Sequence, residues 1–151
     1  MIQGVETRKL KLIPDERGFL MEILRSDDPL FRKFGQVYVS VVYPGVIKGW
    51  HYHKVQTDNI VVIRGMAKVV LFDRREQSPT YGEIREFFVG ELNPTLIQIP
   101  PLVWHGMKGI GEKAAYFINC PTELYNYGEP DEFRVDPYDP TIPYNWQLKE
   151  G

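Results

Sequence analysis

The chain has 151 residues, with 18 Lys and Arg against 20 Asp and Glu, a net charge of −2 and one cysteine, Cys120. That length suits one domain, 1–151, with a sizeable core, and the near-even charge, without a basic stripe, excludes a nucleic-acid binder. One cysteine excludes an internal disulfide and fits a reducing cytoplasm; no apolar run is long enough to span a bilayer, and MIQGVETRK has no signal-peptide core.

In chain order, Lys9 to Ile13 reads as a short strand that runs into the turn Pro14-Asp15-Glu16-Arg17-Gly18, and Phe19 to Leu24 as the next strand. Ser26-Asp27-Asp28-Pro29 has the form of a helix cap with an early proline, which predicts one or two helical turns over Leu30 to Phe34. From Gln36 onward the pattern is β. Val37 to Tyr43, Val46 to His53, Asn59 to Ile63, Met66 to Asp73, Ile84 to Val89, Thr95 to Ile99 and Ala114 to Cys120 are runs rich in Val, Ile, Phe and Tyr. Gly, Pro, Asn and Asp separate them at nearly regular spacing, and no amphipathic helix intervenes, which predicts an all-β antiparallel sandwich or barrel. The tail from Pro121 to Trp146 is dense in Pro, Tyr and Asp and too aromatic for disorder; it is expected to wrap the barrel.

The chemistry concentrates in Gly45 to Gly65. His51 and His53 are two apart, so a strand aims both imidazoles at one face. Asp58 follows, and Pro100-Pro101-Leu102-Val103-Trp104-His105 brings in the only other histidine. Three histidines and a carboxylate on strands compose either a metal site or a proton-transfer site. Cys120, inside an apolar run, reads as a buried inert thiol rather than a nucleophile. Asp58, in Thr57-Asp58-Asn59, also suits a plain turn.

Gly45, His51, His53, Asp58 and Gly65 match the first cupin motif in spacing, with Asp in place of the usual Glu. Pro100 and His105 match the second in part, with Leu102 where glycine is expected. The chain therefore resembles the cupins, and the resemblance implies a double-stranded β-helix, or jelly roll.

A narrower resemblance covers almost the whole chain. Asp15-Glu16-Arg17-Gly18-Phe19 with Glu22, Gln36 with Ser40, Gly45 to Tyr52, Asp73-Arg74 with Ser78 to Gly82, Ile99-Pro100, His105-Gly106, Tyr125-Asn126 and Asp139-Pro140-Thr141-Ile142 ending at Trp146 follow in order. In this the chain is similar to the dTDP-4-dehydrorhamnose 3,5-epimerase family, cupin-fold isomerases of nucleotide-linked 4-keto-6-deoxy sugars in deoxysugar and polysaccharide biosynthesis. The resemblance implies His51 as the general base, Asp139 as its carboxylate partner, and Tyr125 or the adjacent Tyr127 as the acid on the opposite face of the sugar. It further implies Arg17 on the diphosphate, where a guanidinium fork suits phosphate oxygens. Phe19, Glu22, Gln36, Lys48 and His105 become further substrate contacts. It implies catalysis without a cofactor, a dTDP-linked substrate, and a homodimer paired through an N-terminal strand.

The departures define the alternatives. Lys48 stands where the family has arginine and His53 where it has glutamine, and the family's lysine that meets the enolate oxygen has no counterpart: allowing for a shorter loop, the nearest position holds Asp58. A metal-binding cupin with His51, His53, Asp58 and His105 holding Zn, Ni, Fe or Mn, acting as an isomerase or oxygenase, is the second reading. A sugar 3,4-ketoisomerase is another, and a sugar-binding module without catalysis is the weakest.

Overall fold

A computed structural model describes residues 1–151. Twelve strands follow one another: β1 (Glu6–Lys9), β2 (Ile13–Asp15), β3 (Gly18–Leu20), β4 (Tyr38–Val42), β5 (Ile47–Tyr52), β6 (Asp58–Arg64), β7 (Met66–Asp73), β8 (Ile84–Gly90), β9 (Thr95–Ile99), β10 (Val103–Gly109), β11 (Ala115–Asn119) and β12 (Phe133–Arg134). They form two antiparallel five-stranded sheets, in the orders β1-β9-β6-β11-β4 and β12-β5-β10-β7-β8, and a separate β2-β3 hairpin.

Side-chain alternation sorts each strand between the inside of the double sheet and an outer cover. The inside holds Ile60, Val62, Ile97, Ile99 and Phe117 from the first sheet against Val69, Leu71, Val103 and Met107 from the second. The other parity of β6 and β9, Val61 and Leu96, packs outward with Leu10 beneath the N-terminal segment. Trp50, Val70 and Phe72 point outward from the second sheet and are buried by Ile142 and Trp146. The C-terminal tail thus wraps the barrel as expected. Covering both outer faces explains why β6 and β7 are apolar almost without interruption rather than alternating.

Three expectations change. Leu30 to Phe34 forms no helix. The Asp28 carboxylate accepts from the Leu30 amide at 2.9 Å, and Phe31 N–H closes one turn on the Asp28 carbonyl. The Leu30 carbonyl, which a helix would need, is taken by the Gln98 amide. Lys9 to Ile13 is not one strand but the end of β1 and the start of β2, and Phe19 to Leu24 keeps strand form only to Leu20. Strands β10 and β12 come from stretches without a strand signature. β10, Val-Trp-His-Gly-Met-Lys-Gly, carries Gly106 because it lies against β5 at Gly49, and Gly109 because a Cβ there would stand 2.6 Å from the Tyr43 carbonyl oxygen. A Cβ on Gly106 would sit 3.0 Å from Gly49 Cα and 3.2 Å from Trp146.

Candidate active site

The same parity that packs the core builds the site. Asp58 shares a face of β6 with Ile60 and Val62, and His105 shares a face of β10 with Val103 and Met107. His51, one residue from outward-facing Trp50, points inward from β5, and its backbone is paired directly with His105. One end of the barrel interior is therefore apolar and filled. The other is polar and opens into a cavity of about 780 Å³, with His51, His53, Asp58, Lys48, Tyr38 and Arg134 among its lining residues.

His51, His53, Asp58 and His105 each offer an atom within 4.8 Å of the others. Asp58 is buried and accepts on one oxygen from Gln56 Nε2 at 2.7 Å and Asn119 Nδ2 at 2.8 Å. Its other oxygen faces His53 Nε2 at 3.2 Å and His105 Nε2 at 3.1 Å. The second contact is close but misaligned, and His105 Nε2 has no well-formed hydrogen bond. The far nitrogens are anchored: His53 Nδ1 lies on the Asp131 carbonyl, and His105 Nδ1 on the Val103 carbonyl at 3.0 Å. Asp131 also ties the loop down, its carboxylate accepting from the Lys54, Val55 and Gln56 amides.

Burial alone would push the Asp58 carboxyl up, but the His105 and His53 rings hold it well below the usual range. Burial would likewise depress His53, but its bond to Asp58 raises it. His51 goes the other way. Burial first, then the neighbouring His105, drive its pKa well below 6.5, and the Asp58 charge only partly offsets this. His51 is thus a neutral imidazole at the cavity wall, 4.0 Å centroid to centroid from the His105 ring.

The remaining residues singled out in the sequence divide. Lys48 lines the cavity and donates to Ser40 Oγ at 2.9 Å; Gln36 lines it and accepts from the Tyr125 amide at 3.2 Å. Tyr125 and Tyr127 border the mouth with their rings 5.0 Å apart, and Tyr127 is 90% exposed. Arg17, Phe19 and Glu22 do not line this cavity. Arg17 pairs with Asp15 in the β2-β3 hairpin, Phe19 is exposed, and Glu22 pairs with Arg25 at 2.9 Å.

Asp139 is not the partner of His51. Its carboxylate accepts from the Thr141 amide at 2.8 Å and from the Thr141 hydroxyl, closing its own turn. The Trp50 and Trp146 indoles both donate to the Pro137 carbonyl, fixing this segment on the face of β5 that carries Trp50. His51 points to the other face, so β5 itself separates the two. The carboxylate beside His51 is Asp58. Tyr38, Gln56, Asn119, Asp131 and Arg134 also belong to the site and carry no motif. Only the parity of Tyr38 with Ser40 on β4 offered a signal.

The donor set of three imidazoles and one carboxylate, with two Nδ1 atoms on carbonyls and His105 Nε2 unpaired, fits a divalent metal.

A double-sheet barrel with a histidine–carboxylate cluster at its open end is a cupin-type jelly roll with an enzyme-like pocket. Residues 13–133 match the family model for the polysaccharide biosynthesis C-terminal domain. The spore coat polysaccharide biosynthesis protein SpsL of Bacillus subtilis is 45% identical over 149 residues, 99% of each chain. A probable low-salt glycan biosynthesis epimerase of Haloferax volcanii is 44% identical, covering 91% of this chain and 89% of the relative. The solved dTDP sugar isomerase of Desulfovibrio desulfuricans superposes with a TM-score of 0.91 at 36% identity, over 96% of this chain and 92% of that one. The chain belongs to the dTDP-4-dehydrorhamnose 3,5-epimerase family, whose Methanothermobacter thermautotrophicus member is 32% identical over 89% of this chain and 75% of its own.

Proposed function

We propose that the protein is a sugar-nucleotide epimerase of polysaccharide biosynthesis that inverts C3, C5 or both in a dTDP-linked 4-keto-6-deoxy sugar. The observation that carries the mechanism is the His51 ring at the cavity wall with an Asp58 carboxylate oxygen within 4.8 Å; burial and the neighbouring His105 favour its neutral form. A neutral imidazole has a free lone pair for the proton alpha to the ketone, and a nearby carboxylate stabilises the imidazolium that results. Asp58 reaches His51 through the cluster rather than by a direct bond, so His105 and His53 set where its charge is felt. Lys48, Gln36, Tyr125 and Tyr127 are positioned for the sugar and its diphosphate at the mouth. Arg17, Phe19 and Glu22, outside the cavity of their own chain, would serve the diphosphate and base in a second copy within a homodimer. No helix is long and apolar enough to cross a membrane; the single cysteine suits the reducing cytoplasm in which we place the enzyme.

Incubation with a dTDP-linked 4-keto-6-deoxyhexose in heavy water should wash deuterium into the sugar. His51→Ala should lower that exchange by a factor of about 100 or more, the usual scale for a general base. Asp139→Asn should leave it near wild type, because Asn keeps the turn. Wild-type exchange in His51→Ala would remove His51 from the mechanism.

The second reading is a metal-dependent isomerase, favoured by the four convergent donor atoms. His51, His53, His105 and Asp58 would hold the ion, which would supply Lewis acidity at the keto oxygen. Elemental analysis and exchange after chelation separate the readings. Stoichiometric metal with activity lost to the chelator and restored by the ion would support this one. Full exchange in a metal-free preparation would support the first.

A further inference from the structure

Abstraction of a proton alpha to a ketone leaves an enolate, and its oxygen needs a hydrogen-bond donor. Asp58, the carboxylate at the heart of the site, serves as an acceptor, taking hydrogen bonds from Gln56 Nε2 and Asn119 Nδ2 on one oxygen. We propose that Tyr38 is the missing donor, its phenol O–H bonding to the keto oxygen and holding the enolate formed when His51 takes the proton. This rests on the epimerase reading.

The geometry comes from an amide whose orientation is fixed. Tyr38 opens β4 and is paired with Asn119 on β11. Asn119 Oδ1 accepts the Asn59 amide at 2.9 Å, so its Nδ2 must face the other way. One Nδ2 hydrogen goes to Asp58 at 2.8 Å and the other to the Tyr38 oxygen at 3.0 Å. Tyr38 therefore already receives a hydrogen bond, and its own proton is uncommitted while the ring borders the cavity. Of the other donors lining the cavity, Gln56 is given to Asp58, and Lys48 and Arg134, on the second sheet with His51, are drawn to Ser40 and Glu132. Tyr38 sits on the first sheet and His51 on the second, so a sugar in the cavity meets the base from one wall and the phenol from the other.

Burial, then the charge of Asp58, push the Tyr38 phenol up to about 12. It keeps its proton at neutral pH and acts as a donor rather than an acid. In the step, the C–H bond breaks, His51 gains the proton, and the electron pair forms C=C as the carbonyl pair moves onto oxygen. The hydrogen bond from the Tyr38 O–H to that oxygen tightens as charge develops, and the proton stays on the phenol. Reprotonation at carbon reverses the shift, with no net oxidation.

The test compares full-length wild type, Tyr38→Phe, Tyr125→Phe and His51→Ala in the heavy-water exchange of the dTDP-linked 4-keto-6-deoxyhexose. Tyr38→Phe should lose about 100-fold in the saturated exchange rate, the scale for removing one oxyanion donor, with KM nearly unchanged and a melting point lowered by no more than the lost Asn119 hydrogen bond explains. A loss confined to KM, a loss on Tyr125→Phe with none on Tyr38→Phe, or full exchange in Tyr38→Phe beside a dead His51→Ala would each overturn the assignment while leaving the epimerase reading intact. No exchange in wild type would overturn that reading and this proposal together.

Discussion

Asp58 and Asp73 are both buried and both held low by their surroundings, with different consequences. Asp58 is fixed by histidines and belongs to the chemistry. Asp73 is fully buried and accepts from Arg75 Nε and Nη2 at 2.8 Å each and from Ser78 and Thr80 hydroxyls at 2.6 Å each. Burial would raise its pKa, but Arg75 and the two hydroxyls bring it well below 3.8. The stretch from Asp73 to Thr80 is therefore a knot that ties the β7-β8 connection to the barrel. Because the folded pKa is lowered, Asp73 contributes its full stability above about pH 4 and loses it as acid protonates the unfolded chain first. Asp73→Ala should cost about 3 kcal/mol at neutral pH, the low end for breaking a buried ion pair, since Arg75 stays partly exposed. Urea midpoints measured against pH should converge for wild type and variant below pH 4. A constant gap down to strong acid would mean that the carboxylate charge is not what stabilises the knot.

At the scale of elements, the contact between β5 and β10 is the weak point of the site's construction. The register shifts between His105 and Met107, and a Cβ on Gly49 would stand 2.8 Å from Gly106 Cα. Gly106→Ala must push the strands apart, at about 1–3 kcal/mol of overpacking, and carry His105 away from Asp58. Exchange activity should fall further than the loss in denaturant midpoint explains; unchanged activity would show that His105 is not held by this contact. The same strand marks what the sequence could convey. Strands such as β7 and β9 are legible because burial on both faces demands mostly apolar residues, interrupted only at Lys68 and the closing Asp73 in β7 and at Thr95 and Gln98 in β9, and their ends fall where expected. β10 is hidden because its role requires glycine and histidine, which argue locally against a strand. The cluster of His51, His53, Asp58 and His105 is legible from spacing and parity. The Asp139 assignment failed because sequence order does not say on which face of β5 the tail lies. The predicted helical turns failed because Gln98, far along the chain, claims a carbonyl that local propensity leaves free.

For the whole molecule, the open question is how many chains make one site. The β2-β3 hairpin joins neither five-stranded sheet, and Phe19 and Leu20 are more than half exposed on it. Arg17, the one residue matched to a diphosphate contact, sits at its tip, away from the cavity that holds His51. In the homodimer proposed above, each site would combine His51 of one chain with Arg17 of the other. Complementation tests this directly. Arg17→Ala alone should weaken binding of the nucleotide sugar by about 1.5–3 kcal/mol, the range for bonds to charged groups, and leave free thymidine unaffected. His51→Ala alone should be inactive. Co-produced, the two variants should form mixed dimers in which one of the two sites is intact. Random pairing makes half the dimers mixed, so activity should recover to about a quarter of wild type. If Arg17 instead served its own chain, every mixed dimer would carry two damaged sites, and activity would not rise above that of Arg17→Ala.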